Sequence, residues 1–259
     1  MKKKMPAIFA GHGSPMVALA HDSITEEFYS LGNRILDSFG KPKAILCISA
    51  HWYTRGTYIQ KEAHPRQIYD MYGFPDALYE IKYPVSGFEP LSDRVLSLAG
   101  KKCSVNNDWG IDHGTWTVLV HMFPKADIPV VQLSVNGQLD SRESYEIGKE
   151  LAPLREEGFL LLGSGNIVHN LRLVDFDNPA GTPEADAFDA FITDNVKNRN
   201  DEAIRDFRKN RYADYAVPTP DHFLPLPYVL GAAVDETPYV FNNVRNLSSL
   251  SMTGYAFGL

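Results

Sequence analysis

Cysteine is nearly absent. Only Cys47 and Cys103 occur in 259 residues, one inside an apolar run and the other far from it. That excludes a disulfide framework and a CxxC metal knuckle, and it fits a reducing, cytoplasmic setting. Long apolar runs are missing too. None approaches the roughly 18–20 residues of a membrane span, so no membrane partner is expected. Lys2-Lys3-Lys4 ahead of apolar residues 6–10 mimics a secretion signal, but His12, Gly13, Ser14 and Pro15 cut it off. A signal requires roughly 7–15 apolar residues, and the expectation is instead a short exposed leader entering a first strand. Basic charge is in deficit: 25 Lys and Arg against 32 Asp and Glu give a net charge of −7, which leaves no footprint for nucleic acid.

Several signature loops are lacking as well. Gly11-x-Gly13 has no third glycine of the dinucleotide fingerprint, and GxxxxGK[ST] does not occur. Ser164 sits between glycines without the G-x-S-x-G spacing of a nucleophile elbow, so a serine hydrolase is weakly supported. No linker, internal repeat or low-complexity tract divides the chain, and the expectation is one domain over residues 1–259.

What is present is ordinary globular material, 44% hydrophobic and 22% charged. Residues 44–50 form an unbroken apolar run that ends in small residues and then His51. Such a run fits a strand buried on both faces in the centre of a parallel sheet. Residues 7–10, 128–135 and 159–162 make three more strands of this kind. Between the first two, Ile24, Phe28, Leu31, Ile35 and Phe39 recur at helical spacing, with Ser23 or Thr25 as cap. That is a right-handed βαβ unit. Asp140 and Glu143 resemble a capping pair for a helix carrying Ile147, Leu151 and Leu154. A charged segment, 200–211, has the look of a solvated helix, and residues 238–242 and 250–257 of two terminal strands. The fold class is α/β: a central, mostly parallel or mixed sheet flanked by helices. Residues 52–85 are rich in tyrosine and broken by Pro65, Gly73, Pro75 and Pro84. This aromatic stretch is either a binding loop or an insertion packed on the flank.

The histidines are more informative. His12, His51 and His169 each follow an apolar strand through small residues, and His113 lies in a glycine-punctuated loop. Taken singly, such a histidine is ordinarily a hydrogen-bonded loop residue. Four in corresponding places are different, because parallel strands bring their C-terminal ends to one edge, where α/β folds bind ligands. Neutral imidazole suits zinc and ferrous iron. His21 and His64 have a surface context, and His121 that of helix packing. Asp22, Asp108, Asp112 and Asp221 all lie near histidines, and spacing does not choose a carboxylate partner among them.

Five motifs occur in chain order: Gly11-His12-Gly13-Ser14-Pro15; Ser49-Ala50-His51-Trp52; Trp109-Gly110-x-Asp112-His113-Gly114; Ser164-Gly165-Asn166-x-x-His169-Asn170; and Pro218-Thr219-Pro220-x-His222-Phe223-Leu224-Pro225-Leu226. Together they resemble the class III extradiol ring-cleavage dioxygenases (the LigB-type superfamily), most like the bacterial and plant DOPA-extradiol-dioxygenase branch. The match runs from about residue 6 to the C-terminus. The resemblance implies one mononuclear divalent metal held by His12, His51 and His222. It makes His169 the acid/base beside the substrate, with a pKa near working pH, and His113 a supporting or oxygen-side hydrogen-bond donor. The class usually binds ferrous iron through two histidines and a glutamate, whereas here the third position is His222. A set of three neutral imidazoles also suits zinc. The implied partners are a catecholic, DOPA-like substrate and dioxygen, with the aromatics between Tyr53 and Tyr83 walling the pocket; a homo-oligomer is left open. Two other readings compete: a zinc-dependent hydrolase on the same scaffold, and a non-catalytic metal- or small-molecule-binding protein. His169 argues against the last, since binding alone requires no proton shuttle.

Overall fold

The computed structural model describes residues 3–259, so Met1 and Lys2 of the expected leader lie outside the described residues. In chain order the strands are β1 Ala7–Gly11, β2 Ile45–Thr54, β3 Thr57–Ile59, β4 Cys103–Val105 and β5 Val130–Asn136. They continue as β6 Leu160–Gly165, β7 Pro238–Phe241, β8 Arg245–Asn246, β9 Leu250–Ser251 and β10 Gly254–Phe257. Helices α1 Ser23–Phe39, α2 Asp76–Glu80, α3 Glu89–Ala99, α4 His113–Met122 and α5 Ser141–Leu151 occupy the first half. After them come α6 Pro153–Glu156, α7 Pro183–Lys197, α8 Asp201–Arg205, α9 Ala213–Ala216 and α10 Pro225–Ala232.

Eight strands form one mixed sheet in the order β4-β3-β5-β2-β6-β1-β10-β7. The four central strands, β5-β2-β6-β1, are mutually parallel, and β10 and β7 close the far edge antiparallel. The protein is thus a single α/β domain. The central strands read as continuous apolar runs because successive side chains enter different cores. Ala7, Phe9, Leu46, Ile48 and Leu161 pack on α3, α5, α7 and α10. Ile8, Ala10, Ile45, Cys47, Leu160 and Leu162 pack on the other face with Phe28, Leu31 and Ile35 of α1 and Trp116, Leu119 and Met122 of α4. Among the described residues no helix is long and apolar enough to cross a membrane.

Local differences from the sequence reading have physical causes. Asp22, not Ser23 or Thr25, caps α1: its side chain accepts from Ile24 N and Thr25 N, and Thr25 Oγ1 accepts from Asp22 N in return. Asp140 and Glu143 do form the expected capping box. Residues 200–211 are not a solvated helix. The segment breaks into α8 and a 3-10 turn, Phe207–Lys209, because Ile204 and Phe207 are drawn into the core. Residues 250–257 are not one strand either. Asp189 accepts from the hydroxyls of Ser251 and Thr253, and the chain bends there, so that β9 pairs with β8 and only β10 joins the main sheet.

One buried cation ties the ends of the fold together. Arg155 is fully buried; its Nε donates to Met5 O (2.6 Å), Nη1 to Ala232 O (2.7 Å), and Nη1 and Nη2 to the two oxygens of Glu236 (2.9 and 2.7 Å). Arg155→Met leaves Glu236 with Lys4 alone and strands the carbonyls of Met5 and Ala232. The expected loss lies at or below the roughly 3–5 kcal/mol of a fully buried pair that loses one partner, which urea melts will resolve. Burial alone would raise the Glu236 pKa, but Arg155 and Lys4 outweigh it and lower it. The Glu236 contribution is therefore complete above the unfolded-state pKa and is lost as pH falls through the lower folded value.

Candidate metal centre

Five histidines meet where β1, β2 and β6 end. His12 follows β1 directly, its backbone N–H donating to Gly165 O at 3.1 Å. His51 lies inside β2 rather than beyond it: the strand runs on to Thr54, and its register against β5 shifts between Ser49 and Tyr53. His113 is the first residue of α4, not a loop residue, because the Asp112 side chain caps that helix through Thr115 N. His169 sits past β6, its N–H held by Ala216 O at 2.8 Å. His222 precedes α10, and its carbonyl accepts from Asn166 N at 2.9 Å. That approach requires Gly165, where a Cβ would stand 2.2 Å from the His222 oxygen.

The rings are close and mostly buried. The centroids of His12, His51 and His222 form a near-equilateral triangle, at 5.0 Å (His12–His51), 5.2 Å (His12–His222) and 5.0 Å (His51–His222). His113 is placed unevenly, 3.8 Å from His51 and 6.0 Å from His12. His169 stacks flat on His222, at 3.4 Å and 5°. By ligating atoms alone, two groups each fit within 4.8 Å: His12, His51 and His113, and His169, Asp221 and His222. The sequence-derived trio therefore draws from both groups, and the fourth and fifth histidines adjoin it.

Hydrogen bonding decides which nitrogens are bare. Ser164 Oγ donates its only proton to Gly114 O, so it must accept from His12 Nδ1, 2.9 Å away. His51 Nδ1 lies 3.2 Å from Asp70 Oδ2, and His222 Nδ1 is hydrogen-bonded to Asp221 Oδ2. A carboxylate only accepts, so in the neutral state all three imidazoles carry their proton on Nδ1 and leave Nε2 bare. The consequences are visible. His12 Nε2 and His51 Nε2 face each other at 3.2 Å, and His222 Nε2 is buried with no hydrogen-bond partner. Unpaired lone pairs pointed together in a dry site are costly unless a cation joins them. Three imidazoles that share one ion through Nε2, at about 2.0–2.1 Å each, have their rings in such a triangle. The donor set fits a divalent metal.

Electrostatics agree. Burial, then the neighbouring His51 and His222, lower the His12 pKa far below the ordinary imidazole value. Burial likewise lowers His222, to about 4, even against Asp221. His169 is not poised near neutrality as expected: burial and then His222 pull it well down, so it stands neutral. His51 alone goes up, because Asp70, Asp112 and Asp221 outweigh its burial.

The four acids left open by the sequence are now sorted. Asp22 caps α1, and Asp108 is exposed. Asp112 is fully buried, with Ser49, Thr115, Trp109 and Gln132 donating to its oxygens, so it has no lone pair to spare for a metal. Asp221 orients His222. The residue that sequence reasoning missed is Asp70, in the aromatic segment. Its Oδ1 accepts from His113 N at 2.8 Å and lies 3.0 Å from His113 Nδ1, while Oδ2 faces His51. No histidine adjoins it in sequence, so no local signal marks it. The aromatics of that segment serve largely as anchors: Tyr69 donates to Ile81 O and Tyr83 to Phe123 O, whereas Tyr53 and Tyr72 are exposed. His21 and His64 are on the surface, and His121 packs on Val17 O from α4.

Comparison with known proteins now bears on this site. The model of the catalytic LigB subunit of aromatic ring-opening dioxygenase matches residues 6–258. The chain belongs to this family. A relative in Escherichia coli K12 named 4,5-DOPA dioxygenase extradiol is 38% identical, the match covering 98% of this chain and 95% of the relative. One of the same name in Beta vulgaris is 39% identical over 87% of this chain and 85% of its own. The crystal structure of an uncharacterized protein from Escherichia coli K12 superposes with a TM-score of 0.84 at 34% identity, covering 97% of this chain and 99% of that one. As a LigB-family member the chain is an aromatic ring-opening dioxygenase, and the family implies a mononuclear metal.

Proposed function

We propose that this LigB-family protein opens a catecholic, DOPA-like ring by extradiol cleavage. Both atoms of dioxygen enter at a bond beside, not between, the two hydroxyl-bearing carbons. The observation that supports the assignment of ligands is the triangle of ring centroids of His12, His51 and His222, with His12 Nε2 and His51 Nε2 facing each other and His222 Nε2 buried without a partner. The names borne by the relatives from Escherichia coli and Beta vulgaris support the substrate class. Ferrous iron bound there would supply the redox coupling between catecholate and oxygen that no side chain can supply. Zinc suits the same three imidazoles and can occupy them after purification, but it is redox-inert.

The remaining work falls to the chain. Asp221 and Ser164 hold the Nδ1 protons of His222 and His12 and so aim their Nε2 atoms. We assign His169, stacked against His222, the role of accepting a catechol proton at a ring nitrogen as the substrate binds. His113, its ring 3.8 Å from that of His51, is read as the supporting group on the oxygen side. The partners are then the catechol and dioxygen, in the cytoplasm. The test is direct. Metal-free protein receives ferrous iron under anaerobic conditions, then a catechol such as DOPA, then air. The expected result is stoichiometric oxygen uptake with a yellow ring-opened product, and none with zinc. No uptake across a range of catechols, together with hydrolysis of an ester or amide, would assign the site to the hydrolase instead.

A further inference from the structure

Asp70 belongs to none of the five motifs, and yet both of its oxygens face imidazoles of the site. Its backbone is held on two sides. Ile68 N donates to Ile111 O (3.0 Å) and Ile111 N to Arg66 O (2.8 Å), while Trp116 Nε1 reaches Ile68 O (3.1 Å). Alongside, Gln67 Nε2 donates to Ile81 O (3.1 Å) and Tyr83 N to Gln67 Oε1 (2.8 Å). Immediately beyond, the chain turns away, with Tyr72 92% exposed and Gly73 at φ 79°. Asp70 is thus delivered to the site by pinned backbone, two residues before an exposed turn.

We propose that Asp70 is a positioning residue that locks the neutral His51 proton on Nδ1 and so keeps His51 Nε2 bare for the metal. The inference rests on the metal centre proposed above. Its two oxygens have separate tasks. Oδ1 faces His113 on two counts, its backbone N–H at 2.8 Å, a group that only donates, and its Nδ1 at 3.0 Å. Oδ2 is left for His51 Nδ1, 3.2 Å away, and a carboxylate oxygen there can only accept. Replacing the carboxylate by its isosteric amide breaks this arrangement in one direction only. In Asp70→Asn the amide oxygen stays with the His113 N–H, which leaves the NH2 group facing His51 Nδ1. That nitrogen must then accept, and the proton moves to Nε2, on the side that faces His12 Nε2 at 3.2 Å. The tautomer that results has its metal-binding lone pair blocked.

The test compares Asn with Ala. A residue that only supports the fold suffers more from Ala, which removes the side chain, than from isosteric Asn. A tautomer lock suffers more from Asn, since Ala leaves His51 Nδ1 to water and only frees the proton to sit on either nitrogen, whereas Asn drives it to Nε2. Nitrogen-15 NMR of metal-free, histidine-labelled protein, recorded above the pH at which the His51 signals stop titrating, separates protonated from bare ring nitrogens. His51 is assigned from its missing signals in His51→Gln. The wild type is expected to show protonated Nδ1 and bare Nε2, Asp70→Asn the reverse, and Asp70→Ala a mixture of the two tautomers. Zinc affinity, measured by chelator competition, is expected to fall about 10–100-fold in Asp70→Asn, the usual cost of losing a partner behind a ligand, and less in Asp70→Ala. A wild type that binds no zinc overturns the metal centre itself. A wild type that binds zinc, with Asn no weaker than Ala and the His51 pattern unchanged, overturns the role of Asp70 and leaves the centre standing.

Discussion

His222→Ala is expected to empty the metal centre. Metal content should fall from about one equivalent per chain to near zero, and oxygen uptake to background. The loss should exceed the roughly 10–100-fold that follows removal of a partner behind a ligand. The reason is geometric. His222 Nε2 is a buried acceptor with nothing to accept from, and its ring stands 5.0–5.2 Å from both His12 and His51. His12→Ala should behave alike. His113→Ala is the discriminating control, because its unequal spacing, 3.8 and 6.0 Å, places it beside the trio rather than in it. It should keep the metal. Elemental analysis after dialysis decides the matter: full occupancy in His222→Ala with loss in His113→Ala would transfer the site to the His12, His51 and His113 group.

His169→Ala should give the opposite pattern, with metal retained and turnover reduced about 10²–10⁴-fold, the range for loss of a general acid or base. His169 stacks on a ligand ring at 3.4 Å without sharing that ring's carboxylate, and burial holds it neutral. Its position beside that ring, and not its lowered pKa, is what brings it to an arriving hydroxyl while adding no bond to the ion. The two measurements that matter are metal content and kcat on the same iron-loaded sample. Joint loss of both would make His169 a support for His222; an unchanged kcat would remove it from catalysis.

The strands that build this site were legible because burial on both faces forces continuous apolar runs, as in Ile45–Ser49 and Leu160–Leu162. The capping pair Asp140 and Glu143 was legible because both partners lie within one turn. Errors gathered where distant residues intervene. Ile204 and Phe207 draw a charged segment inward, and Asp189 bends the last strand from sixty residues away. Neither influence leaves a mark in the local pattern.

The same division holds for the site. The sequence alone determined the fold class and four histidines at strand ends or in a glycine loop, since chain order and small flanking residues are local properties; His222 came from the family resemblance. Only the tertiary structure decided which nitrogens are bare, because a tautomer depends on the atom placed opposite, and those atoms come from Ser164, Asp221 and Asp70. Asp70 shows the difference most sharply. It stands 19 residues from His51 and 43 from His113 along the chain. Yet the packing of a tyrosine-rich segment against Ile111 and Trp116 sets its carboxylate between them.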